Sequence, residues 1–260
     1  MNRPGAAGPG VAVVSGGSSG IGLATVETLL GAGWRVAFFS QQAARVAEAE
    51  RALSQRFPSD RVMAAVVDLR DSDAVRGFFQ DVASHWQAPA GLVCNAGISP
   101  KGPEGRIPLA KTDLGEWDDV LRVNLTGALL CCQAVLPGMV QAGQGRIVII
   151  GSLAGRSLPR IAGAAYVASK SALGGLTRSL VSEYSHHGIT ANLVCPGRIL
   201  GDMAGAPDSP TNRAVLERVP IGRLGKPIDV ARVVEFLLRP GSDFINGTII
   251  DVNGGEFLPA

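Results

Sequence analysis

Charge is scarce in this sequence: 18% of its 260 residues are Asp, Glu, Lys or Arg, and 24 basic against 22 acidic side chains leave a formal charge of +2. A disordered chain combines low hydrophobicity with high net charge, and 46% apolar content with so small a charge excludes that class. A nucleic-acid binder concentrates a basic excess on one face, which this balance does not supply. Cysteine is sparse as well. Cys94, Cys131, Cys132 and Cys195 form no C-x-x-C pair and lie in apolar segments. They read as core thiols of a reducing compartment, the cytoplasm, and not as disulfides or metal ligands. No metal site is expected, because His85, His186 and His187 fall at helix ends. Met1–Gly10 lacks the apolar centre of a signal peptide, and residues 1–9 are expected to be flexible. The longest uncharged stretch, between Arg122 and Arg146, is long enough to span a bilayer. It contains Asn124, three glutamines and Pro137, so it reads as a buried helix and no membrane partner is expected.

Glycine, by contrast, is abundant, with 34 residues where the usual ~7% would supply about half as many. The glycines follow no three-residue period, which excludes a collagen-like rod. So many glycines in an aliphatic-rich, aromatic-poor chain suggest tight strand–helix turns. Seven short aliphatic runs recur, at Val11–Val14, Arg35–Phe39, Val62–Val67, Leu92–Cys94, Arg146–Ile150, Thr190–Val194 and Thr248–Val252. Most are rich in β-branched residues, as strands buried on both faces should be. Helical patterns alternate with them: Ile21–Leu30, Ala43–Phe57, Asp71–Trp86, Leu114–Gln141, Gly163–Tyr184 and Asp229–Leu238. Alternation of this kind, joined by right-handed crossovers, predicts an α/β fold: one doubly wound Rossmann-type domain over 1–260, with a seven-stranded parallel sheet and helices on both faces. Two irregular stretches, Ile98–Thr112 and Arg198–Lys226, follow strands at their carboxyl ends, where such sheets bind ligands. The second, 198–226, is assigned as a substrate loop with a short helix near Thr211–Val219.

Directly after the first strand comes Ser15-Gly16-Gly17-Ser18-Ser19-Gly20-Ile21-Gly22. A strand, a glycine-rich turn and a helix are the setting of a dinucleotide site, in which the backbone approaches the pyrophosphate and the helix N-terminus meets its charge. A tight connection without a ligand is the alternative. Downstream, Tyr166-Val-Ala-Ser-Lys170 places a phenol and an ammonium on one helix face. At about 4 Å and an effective dielectric of ~20 the cation favours phenolate by roughly 4 kcal/mol, which draws the tyrosine from ~10 towards neutrality. Ser152 closes the fifth strand and offers a hydroxyl for a substrate oxygen; a turn cap is its plain alternative.

With these motifs the chain resembles the short-chain dehydrogenase/reductase family over about residues 10–255. The family's Thr-Gly-x-x-x-Gly-x-Gly stands here with Ser15 for the threonine, and its Asn-Asn-Ala-Gly reads Cys94-Asn95-Ala96-Gly97. The resemblance implies that Gly16, Ser18, Ser19, Gly20, Ile21, Gly22, Asn95, Ala96 and Gly97 bind the cofactor. It also implies that Asp68, followed by Leu69, contacts the adenine; a helix N-cap is the alternative for Asp68. Pro196-Gly197, with Ile199, matches the segment beside the nicotinamide, and Gly201-Asp202-Met203 lacks the threonine that often precedes the acid. Asn124 is implied to hold a water near Lys170, an interhelix hydrogen bond being its alternative. The implied catalytic set is Asn124, Ser152, Tyr166 and Lys170, with Tyr166 and Lys170 also touching cofactor.

The dinucleotide fingerprint expects an acid about 20 residues on for NAD, and Ser40-Gln41 stands there instead. NADP(H) is therefore favoured and NAD(H) is the alternative; Arg45 reads as a solvent-facing side chain. The pattern resembles the 3-oxoacyl-carrier-protein reductase and carbonyl reductase branch, which implies a ketoreductase acting on a small or carrier-bound carbonyl. Arg156, Arg160 and Arg198 are placed near the site mouth. Two alternatives stay open: an NAD-dependent secondary alcohol or sugar-alcohol dehydrogenase, and a non-catalytic nicotinamide-binding regulator. The resemblance also implies a homotetramer or homodimer built on Leu114–Gln141 and Gly163–Tyr184.

Overall fold

A computed structural model describes residues 9–102 and 105–259. Residues 1–8, most of the segment expected to be flexible, and Pro103 in the first irregular stretch lie outside the described residues. The strands are β1 (Val11–Ser15), β2 (Arg35–Ser40), β3 (Val62–Val66), β4 (Gly91–Cys94), β5 (Gly145–Ile150), β6 (Ile189–Pro196) and β7 (Ile249–Val252). They form one sheet in the order β3-β2-β1-β4-β5-β6-β7, every neighbouring pair parallel. The strand order reverses between β1 and β4, which makes the carboxyl ends of those two strands the ligand-binding crevice of a doubly wound sheet.

Period-two alternation divides the core between the two faces. Val11 and Val13 of β1 face a layer containing α3 (Ser72–His85), α5 (Gly127–Ala142) and α6 (Ala164–Tyr184). Ala12 and Val14 face α1 (Gly20–Gly31), α2 (Ala43–Ser54) and α8 (Pro227–Leu238). All four cysteines are free and buried. Burial on both faces holds for β1, β2 and β4–β6 but not for the edges: every residue of β3 is at least partly exposed, and Ile249 of β7 is 39% exposed. An edge strand has one neighbour fewer to cover it, and hydrophobic sequence alone does not tell edge from centre.

The expected long helix Leu114–Gln141 is present with one interruption. Helix α4 (Leu114–Leu121) passes through a π-helical turn, Arg122–Thr126, into α5. Its apolar side is core: Val120, Val123, Cys131, Cys132, Val135 and Met139 are buried against the sheet. The segment has the length and hydropathy of a membrane span, yet only half of it is buried here. A short α7 (Pro210–Leu216) lies inside the second irregular stretch, as expected.

Candidate active site

A cavity of roughly 960 Å³ opens over the carboxyl ends of the central strands. It is walled by the glycine-rich turn, the ends of β2, β4, β5 and β6, the N-terminal part of α6 and both irregular stretches. Gly16, Ser18, Ser19, Gly20, Ile21, Ser40, Gln41, Asp68, Leu69, Asn95, Ala96, Gly97, Pro196, Gly197 and Ile199 all line it, as do Ser152, Tyr166 and Lys170. Gly22 and Asn124 do not line it.

The turn is shaped by close approach. Gly16 sits at φ +67°, and a Cβ there would lie 2.9 Å from Ala96 Cα. A Cβ at Gly22 would run into the Gly16 carbonyl. The Ser15 hydroxyl accepts from the amides of Asn95 (3.0 Å) and Ala96 (3.2 Å), and the Asn95 side chain donates to the carbonyls of Ser15 and Gly16, each at 3.1 Å. These bonds tie β1 to the turn after β4. The thiol of Cys94, where the family carries asparagine, packs in the core at 3.8 Å from the Ala128 carbonyl. Ser19 precedes α1 in extended conformation and makes no side-chain cap, so the first amides of α1 are left without a side-chain partner.

Asn124 lies in the π-helical turn, a wider coil that is frequent at functional sites. Its side chain accepts from the Ile98 amide (2.8 Å) and donates to the Ile98 carbonyl and to Ser169 Oγ, both at 3.0 Å. Ser169 in turn donates to the Tyr166 carbonyl at 2.7 Å. Asn124 thus clamps the irregular segment after Gly97 to the helix that carries Tyr166, and its bond to Ser169 is the interhelix reading of that residue.

Lys170 is buried and its Nζ donates to the Ile150 carbonyl at 2.8 Å, with 5.8 Å to the centroid of the Tyr166 ring. Burial holds this ammonium down to about 8, against weaker upward pulls from Cys195 and Cys94. Tyr166 departs from expectation. Burial raises its phenol above the ordinary value, opposed by the Ser152 hydroxyl. The cause is desolvation: phenolate formation in a half-buried pocket costs more than a lysine directed at a carbonyl returns. Ser152 also accepts from the Ala154 amide at 3.1 Å, so its turn-cap role is present alongside its place in the cavity wall.

The rim is ionic. Asp68 is not the cap of α3, a role filled by Asp71, which accepts from the amides of Asp73 and Ala74. Asp68 instead pairs with Arg70 at 3.0 Å. Arg70 also grips Asp119 through two bonds of 2.5 and 2.8 Å and donates to Gln41 at 2.9 Å. This pairing raises the Arg70 guanidinium and lowers the Asp119 carboxyl. Arg45 stays solvent-facing, its side chain 43% exposed, and on the cavity rim it pairs with Asp202. Arg160 and Arg198 line the cavity, whereas Arg156 is drawn away to Asp251 and the Phe257 ring. Arg70, Lys101 and Arg218 also line it. No motif marks them in sequence, because loop and rim residues are brought together only by long-range folding.

Residues 16–256 match the family described as Enoyl-(Acyl carrier protein) reductase. The chain is 32% identical over 248 residues to the 3-oxoacyl-[acyl-carrier-protein] reductase FabG of Vibrio cholerae, covering 95% of this chain and 97% of the relative. Among solved structures it is similar to a 3-oxoacyl-[acyl-carrier protein] reductase with bound NAD from Brucella melitensis, at TM-score 0.88, 30% identity and coverage of 100% and 99%. It is also similar to an NADPH-bound short-chain oxidoreductase of Pseudomonas aeruginosa PAO1, described as having an atypical catalytic centre, at TM-score 0.82, 35% identity and coverage of 96% and 97%. The parallel seven-stranded sheet, the glycine-rich turn after β1 and the cavity containing Ser152, Tyr166 and Lys170 agree with these likenesses, and the chain is an oxidoreductase of the short-chain dehydrogenase/reductase family.

Proposed function

We propose that the chain, acting as one cofactor-binding and catalytic unit over 1–260, is a carbonyl reductase in which Tyr166 delivers the proton. A single observation carries the reading: Ser152, Tyr166 and Lys170 line one cavity over the carboxyl ends of the central strands, where the phenol, protonated at neutral pH, can serve as a general acid. Ser152, whose hydroxyl bears on the same phenol, fixes the substrate oxygen. Lys170 supplies positive charge behind the phenol once a substrate oxygen begins to draw the proton. Asn124 positions this group by holding α6 to the Ile98 backbone.

The residues present fit a nicotinamide dinucleotide. Gly16 leaves a backbone cradle that a Cβ would fill, and the uncapped start of α1 presents amides and the positive helix end to a pyrophosphate. When bound, this cofactor supplies the hydride. Ser18, Ser19, Gly20 and Ile21 would hold the phosphates; Asp68 and Leu69 the adenine; Asn95, Ala96, Gly97, Pro196, Gly197 and Ile199 the nicotinamide half. NADP(H) is favoured over NAD(H). The end of β2 offers Ser40 and Gln41 with no carboxylate, while Arg45 and Arg70 stand on the same rim. Fluorescence titration with both reduced cofactors checks this, and tighter NADH binding overturns it.

The partner surface of this reading is α4–α5 and α6, packed against the same helices of another copy. Leu129 of α5 is 39% exposed, and an apolar helix only half covered by its own subunit fits burial in a homodimer or homotetramer of a cytoplasmic enzyme. A light-scattering mass at the 26.8 kDa of one chain refutes this assignment.

Tyr166→Phe tests the central reading. Removing the hydroxyl lowers carbonyl reduction by roughly 10²–10⁴-fold while cofactor affinity persists. Unchanged turnover defeats the assignment, and cofactor binding by a wild-type protein that turns over no carbonyl would favour a regulator.

A further inference from the structure

The charged side chains on the cavity are unequal in number and in commitment. Arg45, Arg70, Lys101, Arg160, Lys170, Arg198 and Arg218 line it against Asp68, Asp202 and Glu256. Each of the three acids is taken: Asp68 by Arg70, Asp202 by Arg45 and Glu256 by Arg218. Lys101 and Arg198 have no carboxylate partner among the described residues.

These two cations converge on one short turn. Lys101, from the stretch after β4, donates to the Met203 carbonyl at 3.3 Å. Arg198, from the stretch after β6, donates through Nη2 to the neighbouring Ala204 carbonyl at 2.8 Å and through Nε to Asn212 Oδ1 at 2.8 Å. Asn212 is 1% exposed and is itself locked onto the carbonyls of Ala204 and Ala206. Arg198 is thereby held in one orientation by a buried residue, with Nη1 unpartnered among the described residues. Burial lowers Lys101 and Arg198 alike, and Arg198 adds to the lowering of Lys101. The carboxylate that acts on Arg198, that of Glu256, opposes this lowering but is bonded to Arg218, so the two like charges are left without a paired counter-ion, an unfavourable arrangement that an incoming anion relieves. Val215 and Phe257 line the same cavity and give an apolar carbon chain a surface to lie on.

We propose that Lys101 and Arg198 form an anion subsite for the head group of the substrate, so that the enzyme acts on small oxo acids whose carboxylate is held there. A guanidinium and an ammonium seated on neighbouring carbonyls of one turn suit a carboxylate, which takes charge-assisted hydrogen bonds from both. The subsite rests on the carbonyl-reductase reading above, and names the class of molecule that site receives.

The test uses the enzyme with NADPH, 3-oxo carboxylates of graded chain length and the methyl esters of the same acids. The expected result is a wild-type preference for the acid in kcat/KM of at least about tenfold at the best length. Arg198→Gln and Lys101→Gln each shift the acid-to-ester ratio towards the ester by about tenfold or more, through KM. NADPH affinity, measured by fluorescence on each variant, verifies that the cleft is folded. Equal loss on acid and ester, or a wild type indifferent to the carboxylate, overturns the subsite. If the wild type reduces neither, the carbonyl-reductase reading fails, and calorimetric titration of the carboxylates onto the NADPH-loaded protein judges the subsite: binding that Arg198→Gln abolishes upholds it, and no binding overturns it.

Discussion

On the floor of the cleft, Ser15, Asn95, Asn124 and Lys170 bond mainly to backbone atoms, across strands distant in sequence. On the rim, Arg45–Asp202, Arg70–Asp68–Asp119 and Arg218–Glu256 bond side chain to side chain, with most partners a third or more exposed. The floor is stiff because a buried amide or ammonium has no water to exchange for its protein partner, so each lost bond leaves an unsatisfied group. The rim is adjustable because water screens its ion pairs and replaces them at little cost. A cavity that must hold a cofactor in one pose and admit a substrate uses the first kind of contact below and the second above.

The strongest way to break the comparison is at the floor. Gly16→Val would place a side chain at φ +67° against the Ala96 backbone, and cofactor affinity should fall by about tenfold or more while circular dichroism shows the sheet intact. Full affinity in that variant would mean the cradle does not depend on this approach. Lys170 provides a pH-dependent test without cofactor. Its folded value of about 8 lies below its ordinary 10.5, so the unfolded chain binds more protons between those limits. The burial penalty is therefore full below about pH 8 and fades as pH rises towards 10.5. Relative to Lys170→Met, the wild type should gain up to about 3 kcal/mol of stability across that window, read by urea denaturation at several pH values. A pH-independent difference would show that the ammonium is solvated. Ser15→Ala leaves the Asn95 and Ala96 amides without their acceptor and should cost about 1–3 kcal/mol in the same assay. At the rim, Arg45→Ala removes a surface pair and should change stability by no more than about 1 kcal/mol. A loss at Arg45 as large as that at Ser15 would erase the distinction between floor and rim.

The two regions also differ in what could be read beforehand. Gly16, Gly20, Gly97, Tyr166 and Lys170 belong to short motifs, because strand–turn–helix geometry places neighbours in sequence side by side in space. Seven aliphatic runs located all seven strands, and their alternation with helical patterns led to the right topology. The same reasoning missed the π-helical turn around Asn124, since one extra residue per turn leaves no mark in hydrophobic periodicity. It also overestimated the burial of β3 and β7, because edge and centre strands are equally aliphatic here. Arg45 is exposed as read, but its pairing with Asp202 left no mark in sequence, since the two are 157 residues apart.

Sequence by itself determined the doubly wound sheet, the glycine-rich turn after β1 and the Tyr166–Lys170 pair, all consequences of local spacing. Tertiary structure alone decided how far the Tyr166 ring is desolvated, which pushes its phenol up, and where the Lys170 ammonium points, because both depend on what packs around them. It alone brought Lys101 and Arg198, from loops nearly 100 residues apart in sequence, onto neighbouring carbonyls of one turn. Spacing within a helix or turn is set by bond geometry, whereas the meeting of distant loops is set by the packing of the whole sheet beneath them.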